Sequence, residues 1–381
     1  MKASSHIKLN QKALQSNWEF LNSYFNGKKI SAVVKGNAYG HGIKDYVPMA
    51  EACGVNHFSV FNAGEAYKVY KAASAESTIM IMGALDDDDI EWAIEKDVEF
   101  YVFTMERLET TIKTAHSLGK KAIIHIEIET GMYRTGFELK QIPTLIEILK
   151  SNTDTLTFKG LCMHFAGAEN IANYVRIKKQ KINFKKAVKA FKQANVEPEI
   201  IHTCCSAAAV RLPDMHYDML RIGIMQYGFW SGPEILIEYL NKNDVVTSPL
   251  KRIIRWESQV MSLKQVPPGE FVGYGSSFYS HKTMDIAIVP VGYAHGFSRS
   301  LSNTGTVLIN EQFAKVVGTV NMNCIAVDVT DIDSVKINEP VILIGTQGEH
   351  EISVSSFGEM SSQLNYELLT RLPLNIPRIV V

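Results

Sequence analysis

Apolar positions along this chain fall into two textures. Over the first two-thirds, short continuous apolar runs alternate with segments of helical spacing. The runs span residues 29–35, 56–61, 78–82, 99–103, 121–128, 157–163, 199–203 and 218–222. They are continuous rather than alternating, as in parallel strands covered on both faces. Amphipathic segments flank most of them, at 10–26, 64–75, 105–117, 139–151 and 174–195. Eight such runs, alternating with helix or loop, predict an α/β fold that begins with a (β/α)8 barrel of the TIM type rather than an open sheet.

After about residue 239 helical spacing gives way to short β-rich runs at 252–263, 285–291, 306–309, 313–317, 324–329 and 340–344. Turn residues separate them, such as Pro267-Pro268-Gly269 and Asn303-Thr304-Gly305. This predicts a mainly-β C-terminal domain. Residues 4–9 read as a strand of that same domain, ahead of the first barrel helix. The division is therefore a barrel over 10–240 and a β-rich domain over 241–381 with 1–9, the boundary lying in the loop near 232–249. A helix is expected over 354–363, with Ser353 as its N-cap. The acidic run Asp86–Asp89 precedes a helix at 90–95 and reads as N-terminal helix charge.

The 381 residues are 46% hydrophobic and 21% charged, enough for two cores and unlike a disordered chain. The net charge of −1, from 39 basic and 40 acidic side chains, supplies no broad cationic field, so a nucleic-acid partner is not expected. No stretch approaches the roughly 18 apolar residues of a membrane span, and the polar start lacks the apolar core of a signal peptide. The expectation is a cytoplasmic protein with no membrane association. Five cysteines, none in a CxxC or metal-like spacing, suit that expectation; no metal site is expected. The pair Cys204-Cys205 permits a redox reading, but cysteine also serves as a small core residue.

Lys35 closes the run Ile30-Ser31-Ala32-Val33-Val34 and precedes Gly36-Asn37-Ala38-Tyr39-Gly40-His41-Gly42. C-terminal strand ends form the active face of a parallel barrel. Glycines there let backbone approach a ligand closely, and a desolvated lysine can form a Schiff base. From position alone, a surface lysine at the start of a loop fits equally.

The segment from Ala32 to Gly42 resembles the pyridoxal-phosphate attachment motif of the alanine racemase family. Further segments resemble that family in order along the chain. Glu129-Thr130-Gly131-Met132-Tyr133-Arg134-Thr135-Gly136 is similar to D-T-G-M-x-R-x-G, and Met163-His164-Phe165-Ala166 to T-H-F-A. Ser206-Ala207-Ala208-Ala209 falls where the family has N-S-A-A. Arg221-Ile222-Gly223-Ile224 with Tyr227-Gly228 resembles R-x-G-I-x-x-Y-G, and Val272-Gly273-Tyr274-Gly275 resembles V-S-Y-G. Gly292-Tyr293-Ala294, Asn321-Met322 and Asn365-Tyr366-Glu367 complete the series. Each match is weak alone; the ordered set is specific.

The resemblance implies a racemase that uses pyridoxal 5'-phosphate, most simply one interconverting L-alanine and D-alanine for cell-wall synthesis. It implies a two-base mechanism: Lys35 holds the cofactor as an imine and acts on one face of the substrate, Tyr274 on the other. A phenol with a pKa of about 10 is a poor base at neutral pH, so His164 and Arg221 are implied as its hydrogen-bonded neighbours. Arg221 is implied to face the pyridine nitrogen. The phosphate would take Tyr39, Ser206, Tyr366 and the amides of Gly223 and Ile224. Arg134, the Met322 amide and Tyr293 would meet the substrate. The family's catalytic tyrosine comes from the other subunit, so a homodimer with shared active sites is implied.

Four positions depart from the family pattern. Glu127 stands where many members carry a carbamylated lysine, and the expectation is that its charge orients Arg134 directly. His295 replaces an acid in G-Y-A-D-G, Thr319 replaces an arginine lining the substrate entry, and Asn323 replaces an acid. These changes touch substrate surroundings. They leave open a racemase for serine or a longer side chain, a decarboxylase of the same architecture, or a non-catalytic carrier of the cofactor.

Overall fold

A computed structural model describes residues 3–354 and 365–381, without the side chains of 365 and 366. Beyond its first position, the helix expected over 354–363 lies outside the described residues, and so does the Tyr366 side chain. The chain forms two units. One comprises Lys12–Gly36 and Tyr46–Arg252; the other comprises Met1–Gln11, Asn37–Asp45 and Ile253–Val381.

Strand β1 (His6–Leu9) belongs to the second unit. The first holds eight parallel strands: β2 (Lys29–Val33), β3 (His57–Asn62), β4 (Thr78–Ala84), β5 (Glu99–Val102), β6 (Ala122–Glu127), β7 (Leu156–Cys162), β8 (Ile200–His202) and β9 (Met219–Ile222). Each pairs with its successor from β2 to β8, and β9 returns to β2 in the register Lys29–Met219 through Ala32–Ile222. Between β8 and β9 a bridge joins Cys205 to Arg221, and the Arg221 N–H donates to the Cys204 carbonyl at 2.9 Å. The eight apolar runs thus become a nearly closed barrel, because strands of valine, isoleucine and phenylalanine need cover on both faces. Met80, Tyr101, Cys162 and Met219 pack as one buried cluster within it.

Local signals set the helix ends. The Asn62 side chain accepts from the Glu65 N–H at 2.9 Å to open Ala63–Ala72, and Thr104 caps Met105–Leu118 through the Arg107 N–H at 3.2 Å. The acidic run behaves as N-terminal charge: Asp89 accepts from the Asp86 N–H at 3.3 Å and the helix runs Asp87–Glu95. Among the described residues no group of acids, histidines or cysteines is arranged to hold a metal, and no helix is long and apolar enough to cross a membrane.

In the other unit, β1 pairs antiparallel with β10 (Ile254–Gln259). The sheet continues through β11 (Ser262–Val266), β12 (Met284–Val289), β13 (Thr306–Ile309), β14 (Gln312–Val317), β15 (Ile325–Asp328), β16 (Pro340–Gln347), β17 (His350–Ile352) and β18 (Arg378–Val380). Its spatial order is β11-β12-β15-β14-β13-β16-β10-β1-β18, with β17 on β16; every pairing is antiparallel except β1 with β18. Val272, Met284, Ile286 and Val317 form a core cluster there. All five cysteines are free thiols, and burial pushes the Cys204 thiol up to about 12, away from redox reactivity.

Candidate active site

The segment after Lys35 is not the loop that its glycines suggest. Gly36, Asn37, Ala38, Tyr39 and Gly40 all have φ between 51° and 81°, a turn of left-handed helix. Only glycine and asparagine adopt this region readily, so Ala38 and Tyr39 are held there at an energetic cost. Asn37 stabilises the turn: its carbonyl accepts from the Gly42 N–H at 2.9 Å and its side chain from the Ile43 N–H at 3.1 Å. Gly40 is required twice over, by its φ of 81° and because a Cβ would overlap the Leu369 carbonyl. On the strand side, the Gly36 N–H donates to the Glu65 carboxylate at 2.6 Å.

Lys35 is thereby fixed at the end of β2. Its side chain reaches water. Burial lowers its pKa, and the cations Arg134 and Arg221 lower it further. His164, directly after β7, is held well below its ordinary range by burial and then by Arg221, Arg134 and Lys35. The charges of Arg134 and Arg221 therefore bear on Lys35 and His164 together, with Glu65 and Glu127 the nearby carboxylates.

Arg221 on β9 is buried and rigidly placed. Its guanidinium donates to the carbonyls of Met163 at 2.8 Å, His202 at 3.0 Å and Thr203 at 3.0 Å, and to the His202 ring. These carbonyls and the His202 imidazole take the Nη donors of Arg221, whose charge bears on His164.

Glu127 ends β6 with its carboxylate buried, one oxygen having no hydrogen-bond partner among the described residues. It makes no ion pair with Arg134, which lies exposed on the following loop. The carboxylate lies within the electrostatic reach of Thr135, Arg134 and Arg221, and Glu127, Thr135, Arg134 and His164 line one small cavity. Burial raises the Glu127 pKa against the pull of Thr135 and Arg134. The two therefore act on one another through charge across that cavity rather than through a close ion pair.

That loop is organised by two residues the sequence did not single out. The Glu129 carboxylate accepts from the N–H groups of Gly131, Met132 and Tyr133, the last two at 2.7 Å. Buried Gln180 donates to Thr130 Oγ1 at 3.2 Å and to the His164 carbonyl at 2.9 Å, and accepts from the Ala166 N–H at 2.9 Å. It ties the Arg134 loop to the His164 loop.

Ser206 begins the short helix Ser206–Arg211 and its Oγ accepts from the Gly223 N–H at 2.9 Å. The Gly223 amide thus faces Ser206. The turn Ile224–Tyr227 starts straight afterwards, so its first amides have no acceptor within the turn. Glycines flank Tyr274, with φ of 75° and 69°, and it stands 76% exposed; Thr319 Oγ1 donates to its carbonyl at 3.3 Å. The Tyr293 N–H donates to the Asn321 carbonyl and the Ala294 N–H to that of Met322, both at 3.0 Å, bringing those two loops together. At the altered position His295, Nδ1 accepts from the Gly292 N–H at 3.2 Å.

Comparisons with known proteins find likenesses over the whole chain. Residues 9–230 match the family model "Alanine racemase, N-terminal domain" and residues 253–380 "Alanine racemase, C-terminal domain". The chain is 30% identical over 379 residues to an alanine racemase of Leptospira interrogans, covering 99% of this chain and 96% of that one. A solved alanine racemase from Bacillus anthracis with bound L-Ala-P superposes with a TM-score of 0.89 at 28% identity, covering 100% of this chain and 96% of that one. One from Bartonella henselae with covalently bound pyridoxal phosphate shares the fold, with a TM-score of 0.82 at 24% identity and full coverage of both chains.

Proposed function

The chain belongs to the alanine racemase family, and from that premise we propose that it interconverts L-alanine and D-alanine with pyridoxal 5'-phosphate. The observation that carries this is the placement of Lys35: an amine fixed at a strand end, its pKa lowered by burial and by the charges of Arg134 and Arg221. The donor set fits the cofactor. Three cations, the Ser206 hydroxyl and the first amides of the Ile224 turn are suited to an anion carrying a phosphate. Pyridoxal phosphate, when bound, draws electrons from the α-carbon of an amino acid joined to it and so makes its proton removable.

The protein's own residues then divide the work. Lys35 Nζ holds the cofactor and moves the proton on one face of the α-carbon; Tyr274 Oη does so on the other. Burial of Lys35 favours the neutral amine, the form able to accept a proton. Arg221, permanently charged, would lie toward the cofactor's ring nitrogen and disfavour its protonation. Tyr39, Ser206, Tyr366 and the Ile224 amide would hold the phosphate, with the Gly223 N–H fixing Ser206. Arg134, the Met322 amide and Tyr293 meet the substrate, and His164 lies alongside.

The same reading makes the active unit a cytoplasmic homodimer in which Tyr274 and Met322 serve the partner's site. Its support is the exposure of Phe271, Tyr274, Tyr279 and Met322, large apolar groups of the kind an interface covers. It divides the chain into a barrel over 10–240 and a β domain over 241–381 with 1–9.

A panel of L-amino acids offered to the purified protein tests the substrate. D-alanine should form fastest; negligible D-alanine beside rapid turnover of serine or a longer side chain, or release of carbon dioxide, overturns the assignment. Visible absorbance that borohydride abolishes, with the reduced adduct mapped to Lys35, checks the cofactor and its attachment together.

A further inference from the structure

A line of polar side chains crosses the interior of the barrel, and the site described above uses only its end. It runs Ser31, His57, Glu99, His125, His202, Arg221, and none of the six is more than 4% exposed. Glu99 Oε2 accepts from His57 Nε2 at 3.3 Å and His125 Nε2 at 2.9 Å. His125 Nδ1 meets His202 Nε2 at 2.8 Å, His202 Nδ1 meets Arg221 Nη1, and His57 Nδ1 meets Ser31 Oγ at 2.9 Å. The backbone makes room for it: β7 carries Gly160, where any Cβ would overlap the His125 ring. The Tyr101 ring lies against both imidazoles, with centroids 6.0 and 5.9 Å away.

Proton positions follow from valence. A guanidinium only donates, so His202 Nδ1 must accept and the ring's proton sits on Nε2. That proton points at His125, whose Nδ1 must accept and whose own proton sits on Nε2, directed at Glu99. Both imidazoles are neutral, and every hydrogen bond points from the cation toward the anion. Among the described residues no carboxylate lies within ion-pairing distance of Arg221. Burial opposes the charge of Glu99, but the N–H groups of His125 and His57 outweigh it and hold its pKa below the ordinary range. Burial, then Arg221, holds His202 well below its own. The other titratable groups facing this line are Lys29 on β2, Tyr101 on β5, Glu127 on β6, Cys162 on β7, and, around Arg221, Cys204, Cys205, Lys35 and His164.

We infer that Glu99 is the counter-charge of Arg221, delivered through the aligned imidazoles of His125 and His202, and is a positioning residue for the reaction. An ion pair stretched across two rings keeps a carboxylate out of the reaction site while still fixing the direction and charge of the guanidinium. Glu127 also bears on Arg221 but lies beyond ion-pairing distance, so no carboxylate sits directly against the guanidinium. The relay stands on the geometry; its bearing on the reaction rests on the racemase reading.

The test uses the purified protein as isolated. Ring 15N–1H correlation spectra should show His125 and His202 as Nε2–H tautomers, with His202 neutral from about pH 5 to pH 8. A proton on Nδ1 of either ring, or protonation of His202 in that range, overturns the relay even if no variant folds. Glu99→Gln keeps an acceptor and removes the charge. It should lower kcat for alanine by about tenfold or more, with KM changed less than about twofold, and Glu99→Asp should recover part of the loss. In a double-mutant cycle with His125→Gln, the second change should add almost nothing to the first. Full activity in Glu99→Gln, or simple additivity, overturns the positioning role and leaves the racemase reading intact. Absence of racemisation in the wild type overturns that reading, and the ring spectra still decide the relay.

Discussion

Tyr274 and Gly160 represent two kinds of residue in this protein. Tyr274 is exposed and flanked by glycines at positive φ, so its value lies in the hydroxyl it presents. Tyr274→Phe should keep the bound cofactor's absorbance and leave stability within about 0.5 kcal/mol, as for most surface changes. Racemisation should fall most in one direction, which initial rates from L- and D-alanine compare. Full activity both ways contradicts two opposed proton carriers. Gly160 matters for what it lacks. Gly160→Ala forces a methyl into the His125 ring and should destabilise by about 1–3 kcal/mol, read as a lower urea midpoint. A glycine in the middle of a barrel strand would be a weak choice in any other place, since it packs nothing.

Elements hold the site through few joints. The left-handed turn after Lys35 is set by local sequence: glycine and asparagine tolerate it, and Asn37 closes it. The loops after β6 and β7 are joined instead by Gln180, from the helix Tyr174–Gln193. Gln180→Leu removes three hydrogen bonds and leaves the Ala166 N–H buried without its acceptor. The expected loss is about 2–4 kcal/mol in urea unfolding, from unmet buried polar groups. KM should rise more than kcat falls, since Arg134 sits on the loosened loop and the proton-moving groups do not. An unchanged KM with lowered stability would separate the joint from substrate binding.

Across the whole molecule, buried neutral histidines set the response to acid. Burial lowers His41 to about 4 and depresses His57 and His202 as well. The unfolded chain binds protons on these rings as pH falls through about 6.5, while the folded chain does not. Each ring therefore leaves stability untouched above that value and drains it below, by up to about 1.4 kcal/mol per pH unit. Glu99, depressed in the folded state, adds a loss of the same sign below about pH 4.5. Urea midpoints should be flat from about pH 8 to 7 and fall steeply from 6.5 to 5; a flat profile through that lower range contradicts buried neutral imidazoles.

Much of this protein is legible in its residues because the information is local. Eight continuous apolar runs become eight barrel strands, and the later short runs become the antiparallel sheet, since periodicity and turn chemistry act over a few residues. The ordered motifs around Lys35, Arg134, His164, Arg221 and Tyr274 carry the family in the same way. Other features arise only when strands far apart in sequence are laid side by side. Glu127, on β6, and Arg134, on the loop after it, meet across a small cavity without a close ion pair, a spacing the sequence does not show. Glu99, His125, His202 and Arg221 come from four separate strands, and nothing in their spacing announces a line of charge. Hydrophobic pattern specifies which face of a strand is buried; which polar atoms then meet on that face is decided by register across the closed barrel, a property of the tertiary structure alone.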